Sequence, residues 1–281
     1  MVPTFVIGLR EGLEASLIVG IIAAFLIQRG ERTALRPMWI GVGLAIGLCF
    51  GFAITVSAIG QGLGFRQREM LEGGLSLLAV GGVTYMIVWM RRHSRELKRQ
   101  LEAHAESALV AGSVWALVGM AFFAVIREGL ETAIFLLAAF GSSDDPVATG
   151  VGAVAGVTFA IALGWLIYRG GVRINLSRFF RITGFVLVVV AAGLLSYAVH
   201  EFSEAGLITV AQDPAVDLTW LVAPGSVRGA MLTGMLGIQA VPTYAELAAW
   251  ILYAVPMGLY VAWPQRPRTV RTLTAAPVPA G

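Results

Sequence analysis

Arg10-Glu11-Gly12-Leu13-Glu14 is a charged stretch inside an apolar run that extends from about residue 4 to residue 27. The same five residues recur as Arg127-Glu128-Gly129-Leu130-Glu131 inside a second apolar run, 113–138. A charged side chain inside a membrane costs about 2.5–3.5 kcal/mol on insertion scales, so intramembrane charges usually have a function. The duplicated stretch therefore predicts a membrane protein whose functional centre is buried between its helices.

Composition excludes a soluble domain. Hydrophobic residues make up 57% of the 281 residues and charged residues only 13%, whereas about a quarter of a soluble protein is charged. A helix needs about 20 apolar residues to cross the hydrocarbon core. Seven runs meet this length, at about 4–27, 37–60, 70–90, 113–138, 147–168, 182–202 and 245–263. The predicted fold is an all-α polytopic membrane protein with seven transmembrane helices.

These runs form one membrane domain, 1–264, with an outer loop at 204–244 before the seventh helix. The tail 265–281 is rich in Pro, Ala and Thr, and this composition predicts a disordered segment. The net charge of +3 does not indicate a nucleic-acid partner, because the basic residues lie in the short loops between helices.

Arginine and lysine set the predicted orientation, because basic residues concentrate in cytoplasmic loops. They follow helices 1, 3 and 5 and return in the tail, whereas the alternate loops contain few. The cytoplasmic set is Arg29, Arg32, Arg36, Arg91, Arg92, Arg95, Lys98, Arg99, Arg169, Arg173, Arg178, Arg266, Arg268 and Arg271. The N-terminus is predicted outside and the C-terminus in the cytoplasm.

The duplicated motif belongs to an internal repeat, with repeat A at about 4–90 and repeat B at about 113–202. In the second helix of each repeat, Pro and Gly positions match at a shift of 109, so that Gly43, Gly47 and Gly51 align with Gly152, Gly156 and Ala160. In the third helices the shift is 111. Three helices per repeat is an odd number, which predicts two halves of opposite topology, as in many transporters.

The motifs predict a cation site. Glu11 and Glu14 are three residues apart, as are Glu128 and Glu131, so each pair lies on one helix face. The bland alternative is that Arg10 and Arg127 pair with neighbouring glutamates and only join the helices. Two arginines against four glutamates leave two negative charges, which a metal ion or protons would balance. Carboxylates favour a hard cation, but spacing alone does not choose among iron, manganese, calcium and protons, and no bound organic cofactor is predicted.

A second acidic group is predicted at the outer face. Glu69 and Glu72 open the third helix, and Glu201 and Glu204 close the sixth beside His200. These residues can form a vestibule that concentrates cations before entry. The alternative is an ordinary solvated rim, with His200 at the interface.

Other functional classes are disfavoured. Retinal binding needs a lysine within a helix, and the only lysine is Lys98 in a predicted cytoplasmic loop. A zinc hydrolase is disfavoured because His93, His104 and His200 are scattered and no His-Glu-x-x-His motif is present. The chain is therefore predicted to transport a substrate and not to act as an enzyme.

Duplicated Arg-Glu-Gly-Leu-Glu motifs in a seven-helix chain resemble those of the oxidase-dependent iron permease family, which includes fungal high-affinity iron permeases and bacterial EfeU-type permeases. The segments Leu71-Glu72-Gly73 and Phe202-Ser203-Glu204-Ala205-Gly206 are similar to the bacterial branch. The resemblance implies iron transport across the inner membrane with Glu11, Glu14, Glu128 and Glu131 as ligands. It also implies a periplasmic cupredoxin-like iron-binding protein and a haem peroxidase as partners.

Overall fold

Seven long helices form the part of the chain that the computed structural model describes, which comprises residues 1–28, 30–93, 114–143, 145–168, 176–220 and 239–263. We number them in chain order as α1 Val2–Gln28, α2 Leu35–Gly62, α3 Phe65–His93, α4 Val114–Gly141, α5 Pro146–Tyr168, α6 Leu176–Glu204 and α7 Tyr244–Ala262. A short 3-10 turn, Arg32–Ala34, precedes α2. The predicted all-helical fold is confirmed. The predicted disordered tail, 265–281, lies outside the described residues.

Six of these helices are long and apolar enough to cross a membrane by length and composition. The remaining one, α4, has 28 residues and was predicted to span as well. Within its described range, every window of 18 residues contains Arg127, Glu128 and Glu131. The motif itself therefore sets α4 apart, and the charges lie in the middle of an otherwise apolar helix.

Local sequence signals explain where the helices begin. Pro146 opens α5, where its missing N–H costs no hydrogen bond, and Asp145 Oδ1 accepts from Ala148 N at 3.0 Å. At the start of α7, Thr243 and Glu246 form a capping box in which each side chain binds the backbone N–H of the other. Leu63 and Gly64 are the only residues between α2 and α3.

The second helix of each repeat packs against the first helix of the other repeat. α1 packs most extensively against α5, and α2 packs against α4, while α3 packs against α6. The two motif helices, α1 and α4, contact each other, and α7 packs on α6. The first helix of each repeat thus lies at the centre. It is covered there by the second helix of the other repeat.

Residue contacts also give the helix directions. Residue numbers increase in the same direction along α1 and α5, because Met1 lies beside Gly152 and Ser16 beside Gly164. These two helices are therefore parallel. Along α3 and α4 they run oppositely, since Gly82 lies beside Phe135 and Glu72 beside Gly141. These directions are the ones that an inverted repeat requires. Superposition of the halves about an axis in the membrane plane stays a prediction.

The alignment of α2 with α5 at a shift of 109 is wrong. Gly152 and Gly156 face α1, but nothing lies within 4 Å of a Cβ placed on Gly43 or Gly47. The residues of α2 that face α4 are Gly41, Ala45 and Cys49, which correspond to Gly152, Gly156 and Ala160 at a shift of 111. Small residues recur along α2 at both registers, so matching of glycines could not distinguish them, whereas the packed face does.

A pair of glycine substitutions tests this register. A Cβ on Gly156 would collide with the carbonyl oxygen of Phe5 and lie 2.8 Å from Leu9 N. We expect Gly156→Ala to lower the free energy of unfolding by about 1–3 kcal/mol, as overpacking does. Gly47→Ala, the matched control, should leave stability unchanged or slightly raised. Thermal unfolding of both variants in detergent checks this, and equal losses would restore the rejected alignment.

Candidate metal site

At the glycine of each motif, the second helix of the other repeat comes close to the motif helix. A Cβ on Gly12 would lie 2.9 Å from Ala160 Cβ, and one on Gly129 would lie 2.6 Å from Cys49 Sγ. Cys49 is buried and its Sγ lies 3.7 Å from the carbonyl oxygen of Ile126. The absence of a side chain at these two positions lets α5 and α2 press against the motif helices and fixes how α1 and α4 are rotated.

Three of the four predicted ligands converge. Glu11, Glu128 and Glu131 each offer a carboxylate oxygen, and these three oxygens lie within 4.8 Å of one another. Oxygens that bind one cation at about 2.0–2.6 Å are at most about 5 Å apart. The group draws on both motif helices, so it exists only because α1 and α4 are neighbours.

The fourth glutamate, Glu14, is held by an arginine. Arg10 Nε donates to Glu14 Oε1 at 3.2 Å, one helical turn away. The second motif repeats this pairing, with Arg127 Nε donating to Glu131 Oε1 at 3.1 Å. Arg127 Nε also lies 3.9 Å from Glu128 Oε1. Each arginine therefore pairs with a neighbouring glutamate, as the bland alternative supposed, and three carboxylates nevertheless converge beside these pairs.

Several carboxylate oxygens at the centre lack a hydrogen-bond donor. Glu11 is 1% exposed, and among the described residues neither of its oxygens has a partner. Glu128 Oε2 also has no hydrogen-bond partner among the described residues. Burying a charge without a partner is costly, and such groups are paired or coordinate metal. The ligand atoms of this group are carboxylate oxygens, which suit a hard divalent cation. An iron ion as transported substrate is one cation that such a group can hold.

The two motifs differ in exposure. The side chain of Arg10 is 1% exposed, whereas that of Arg127 is 48% exposed. Arg127 stacks on the ring of Trp89, with its guanidinium carbon 5.5 Å from the ring centroid. Trp89 lies four residues before the end of α3, close to the basic stretch that begins at Arg91. The carboxylate group is thus more accessible at the Arg127–Glu131 pair than at the Arg10–Glu14 pair.

The predicted vestibule residues divide into two groups. Both Glu72 oxygens are engaged, because Oε1 accepts from Arg68 Nε at 2.7 Å and Oε2 accepts from the Tyr197 hydroxyl at 2.7 Å. That hydroxyl is also 2.9 Å from the carbonyl oxygen of Gly141, so it joins α3, α4 and α6. Glu69 lies nearby and is partly exposed.

The other group lies at the end of α6. His200 Nε2 is 3.6 Å from Glu204 Oε1, and its Nδ1 is 2.9 Å from Glu246 Oε1. Glu201 is 5% exposed, and its Oε2 has no partner among the described residues. Sequence reasoning missed the contact of Glu246 with His200, because these residues are 46 positions apart and no local pattern links them. No sequence signal pointed to Tyr197.

Comparison with known proteins identifies the family. The model of the Iron permease FTR1 family matches residues 1–266. The chain belongs to this family. It is 42% identical over 268 residues to the Ferrous iron permease EfeU of Shigella sonnei, covering 95% of this chain and 97% of the relative. It is 40% identical over 278 residues to the Ferrous iron permease EfeU of Yersinia pestis, covering 98% of both chains. No solved structure matches the chain.

The exposure difference predicts unequal roles for the two arginines in this iron permease family member. Removing one partner of a buried ion pair costs about 3–5 kcal/mol, because the other charge is left buried. We therefore expect Arg10→Leu to lower the free energy of unfolding by that amount and Arg127→Leu to lower it by less. Unfolding in mixed micelles measures both losses. Equal losses would contradict the assignment, and Arg10→Leu combined with Glu14→Leu should recover much of the stability.

Proposed function

We propose that this chain moves ferrous iron across the inner membrane, from the periplasmic or extracellular side into the cytoplasm. The observation that carries this proposal is the convergence of Glu11, Glu128 and Glu131. Both oxygens of Glu11 and Oε2 of Glu128 are buried there without a donor among the described residues. Membership of the iron permease family supports iron as the substrate. The relatives are named as ferrous iron permeases, and we extend that oxidation state to this chain.

In this mechanism Glu11, Glu128 and Glu131 bind the ion, and Arg10 and Arg127 do not. A guanidinium group has only donors and keeps its positive charge. Arg10 and Arg127 hold Glu14 and Glu131 in position and reduce the negative charge at the centre. Two arginines against four glutamates leave two negative charges when every glutamate is ionised, which matches one divalent cation.

Passage requires the ion to leave as well as to bind. Glu131 belongs both to the convergent group and to a pair with Arg127. As the guanidinium and the ion compete for this carboxylate, the strength of ion binding is limited. Glu14, paired with Arg10, occupies the corresponding place in the first motif and is the fourth ligand along the path.

Orientation and partners complete the proposed role. The end of the bundle at which α1, α3, α5 and α7 begin is the outer end, because the basic loops lie at the other. The permease is surrounded by membrane lipid. By its resemblance to the bacterial branch, it receives iron from a periplasmic cupredoxin-like protein and acts together with a haem peroxidase.

Substitution of a single ligand tests the site. Glu11→Gln keeps the size of the side chain but removes a buried charge, so we expect stability equal to or above that of the native chain and loss of iron uptake. Glu31→Gln, which alters an exposed acid in the turn before α2, is the control and should transport normally. Uptake of radioactive ferrous iron by proteoliposomes measures both, with manganese and calcium compared in parallel. Normal uptake by Glu11→Gln would refute the ligand role, and preference for another cation would favour the alternative substrate.

The outer acids provide a second test. An acidic vestibule raises the local cation concentration, and salt screens this effect. Glu72→Gln combined with Glu204→Gln should therefore raise the KM for iron at low ionic strength while the maximal rate stays near normal. Glu204 should contribute more, since its side chain is 47% exposed and both Glu72 oxygens are engaged. Native kinetics of the double variant at low salt would leave these residues as a solvated rim.

A further inference from the structure

A polar cavity of about 260 Å³ lies beside the end of α6, and it is separate from the central carboxylates. Its lining includes His200, Glu204, Gln212, Gln239 and Glu246. We propose that this cavity is a capture site for a divalent first-row cation, with His200 Nε2 and Glu204 as its ligands. The assignment rests on the proposed transport function only in its choice of cation.

The hydrogen bonding of His200 orients one ring nitrogen for binding. Glu246 is 1% exposed, and its Oε1 lies 2.9 Å from His200 Nδ1. A carboxylate only accepts, so the proton on Nδ1 faces Glu246, and a cation would bind through the lone pair that Nε2 has in the neutral ring. Histidines that bind metals almost always donate their other N–H to a carboxylate, carbonyl or water in this way.

The second ligand is already close. Glu204 Oε1 lies 3.6 Å from His200 Nε2, and two ligand atoms at about 2.1 Å from one cation are separated by at most about 4.2 Å. The side chains of His200 and Glu204 are 33% and 47% exposed, so the cation has access from solvent. One imidazole and one carboxylate suit first-row divalent ions such as ferrous iron.

The surrounding loop holds these groups in place. Glu246 Oε2 accepts from Thr243 N at 3.2 Å, which fixes the carboxylate that orients His200. Gln212 Nε2 donates to Ser203 Oγ at 3.0 Å and to the carbonyl oxygen of Val210 at 3.1 Å. The amide is thereby oriented, and its remaining polar atom is an acceptor oxygen.

Backbone hydrogen bonds join the two loop segments that border the cavity. Ala215 N donates to the carbonyl oxygen of Pro242 at 2.9 Å, and Leu218 N donates to that of Ala240 at 2.8 Å. Tyr244 N donates to the carbonyl oxygen of Asp213 at 3.1 Å. The start of α7 is thus tied to the loop that follows α6, and the cavity has a defined wall.

The capture site has a consequence for the path of the ion. It lies at the end of the bundle where α6 ends and α7 begins, which is the proposed outer end. A site with two protein ligands and open access binds more weakly than a closed one and releases its ion readily. It therefore raises the occupancy of the entrance at low iron concentration without retaining the ion.

Equilibrium binding of ferrous iron to the full chain in detergent, under anaerobic conditions, tests the site directly. We expect two ions per native chain and one per His200→Ala chain. The double variant Glu11→Gln and Glu128→Gln, which lacks the central group, should also bind one ion. Adding His200→Ala to this double variant should abolish binding of that ion. Binding of two ions by His200→Ala, or of none by the folded Glu11→Gln and Glu128→Gln chain, would overturn the proposal.

Glu246→Gln tests the orienting bond without emptying the cavity. The amide oxygen still accepts from Thr243 N, but its N–H2 group donates to His200 Nδ1 and forces the proton onto Nε2. We expect affinity at this site to fall about 10–100-fold, as for other groups that orient metal-binding histidines. Asp217→Asn, which removes an exposed acid from the same loop, is the matched control. Equal affinities of Glu246→Gln and Asp217→Asn would overturn the proposed role of the bond.

Transport separates this proposal from the central one. In proteoliposomes, His200→Ala should raise the KM for ferrous iron several-fold and leave the maximal rate near normal. An unchanged KM in a folded His200→Ala chain, with transport still lost in Glu11→Gln, would refute the capture site and leave the permease function standing. If Glu11→Gln still transports iron and His200→Ala binds one ion fewer than the native chain, the central site alone would be refuted.

Discussion

The excess of carboxylates over guanidinium groups inside an apolar bundle is the constraint on which this structure depends. Arg10 and Arg127 each hold a glutamate one turn away, while both oxygens of Glu11 remain without donors among the described residues. Filling the centre with apolar side chains would be at least as stable, because buried ion pairs contribute little net stability. Protons or a cation must balance the excess, and the proposed role of the centre is to bind a cation.

Bringing carboxylates of both motifs together requires the two motif helices to touch, and the packing of each second helix on the first helix of the other repeat makes this possible. α5 covers α1 and α2 covers α4, with close approach at Gly12 and Gly129. The glycine in the centre of each motif is thus part of the packing, and the glutamates on either side of it belong to the proposed site. One five-residue motif specifies both the contact between repeats and the chemistry between them.

Much of this arrangement follows from the sequence. Apolar run length predicts the helices. The duplicated motif predicts that all four glutamates meet, and the structure brings Glu11, Glu128 and Glu131 together. The register of α2 does not follow, because Gly41 and Gly43 are both small and only tertiary packing selects the face of Gly41. Contacts between distant segments, such as Tyr197 with Glu72 and His200 with Glu246, also leave no local signal. A hydrogen bond across 125 residues depends on the fold and not on any nearby pattern.

The seventh helix makes the two repeats unequal. α7 packs against α6, and its Tyr253 hydroxyl lies 2.7 Å from Thr84 Oγ1 on α3. Val261 of α7 shares a core with Ile7, three residues before the buried Arg10, whereas Arg127 is half exposed beside Trp89. A perfectly symmetric pair of repeats would present the same surroundings to an ion from both ends of the bundle. Among the described helices, α7 has no counterpart on the other repeat, and the two arginine–glutamate pairs lie in different surroundings, so the two halves of the proposed site are not equivalent.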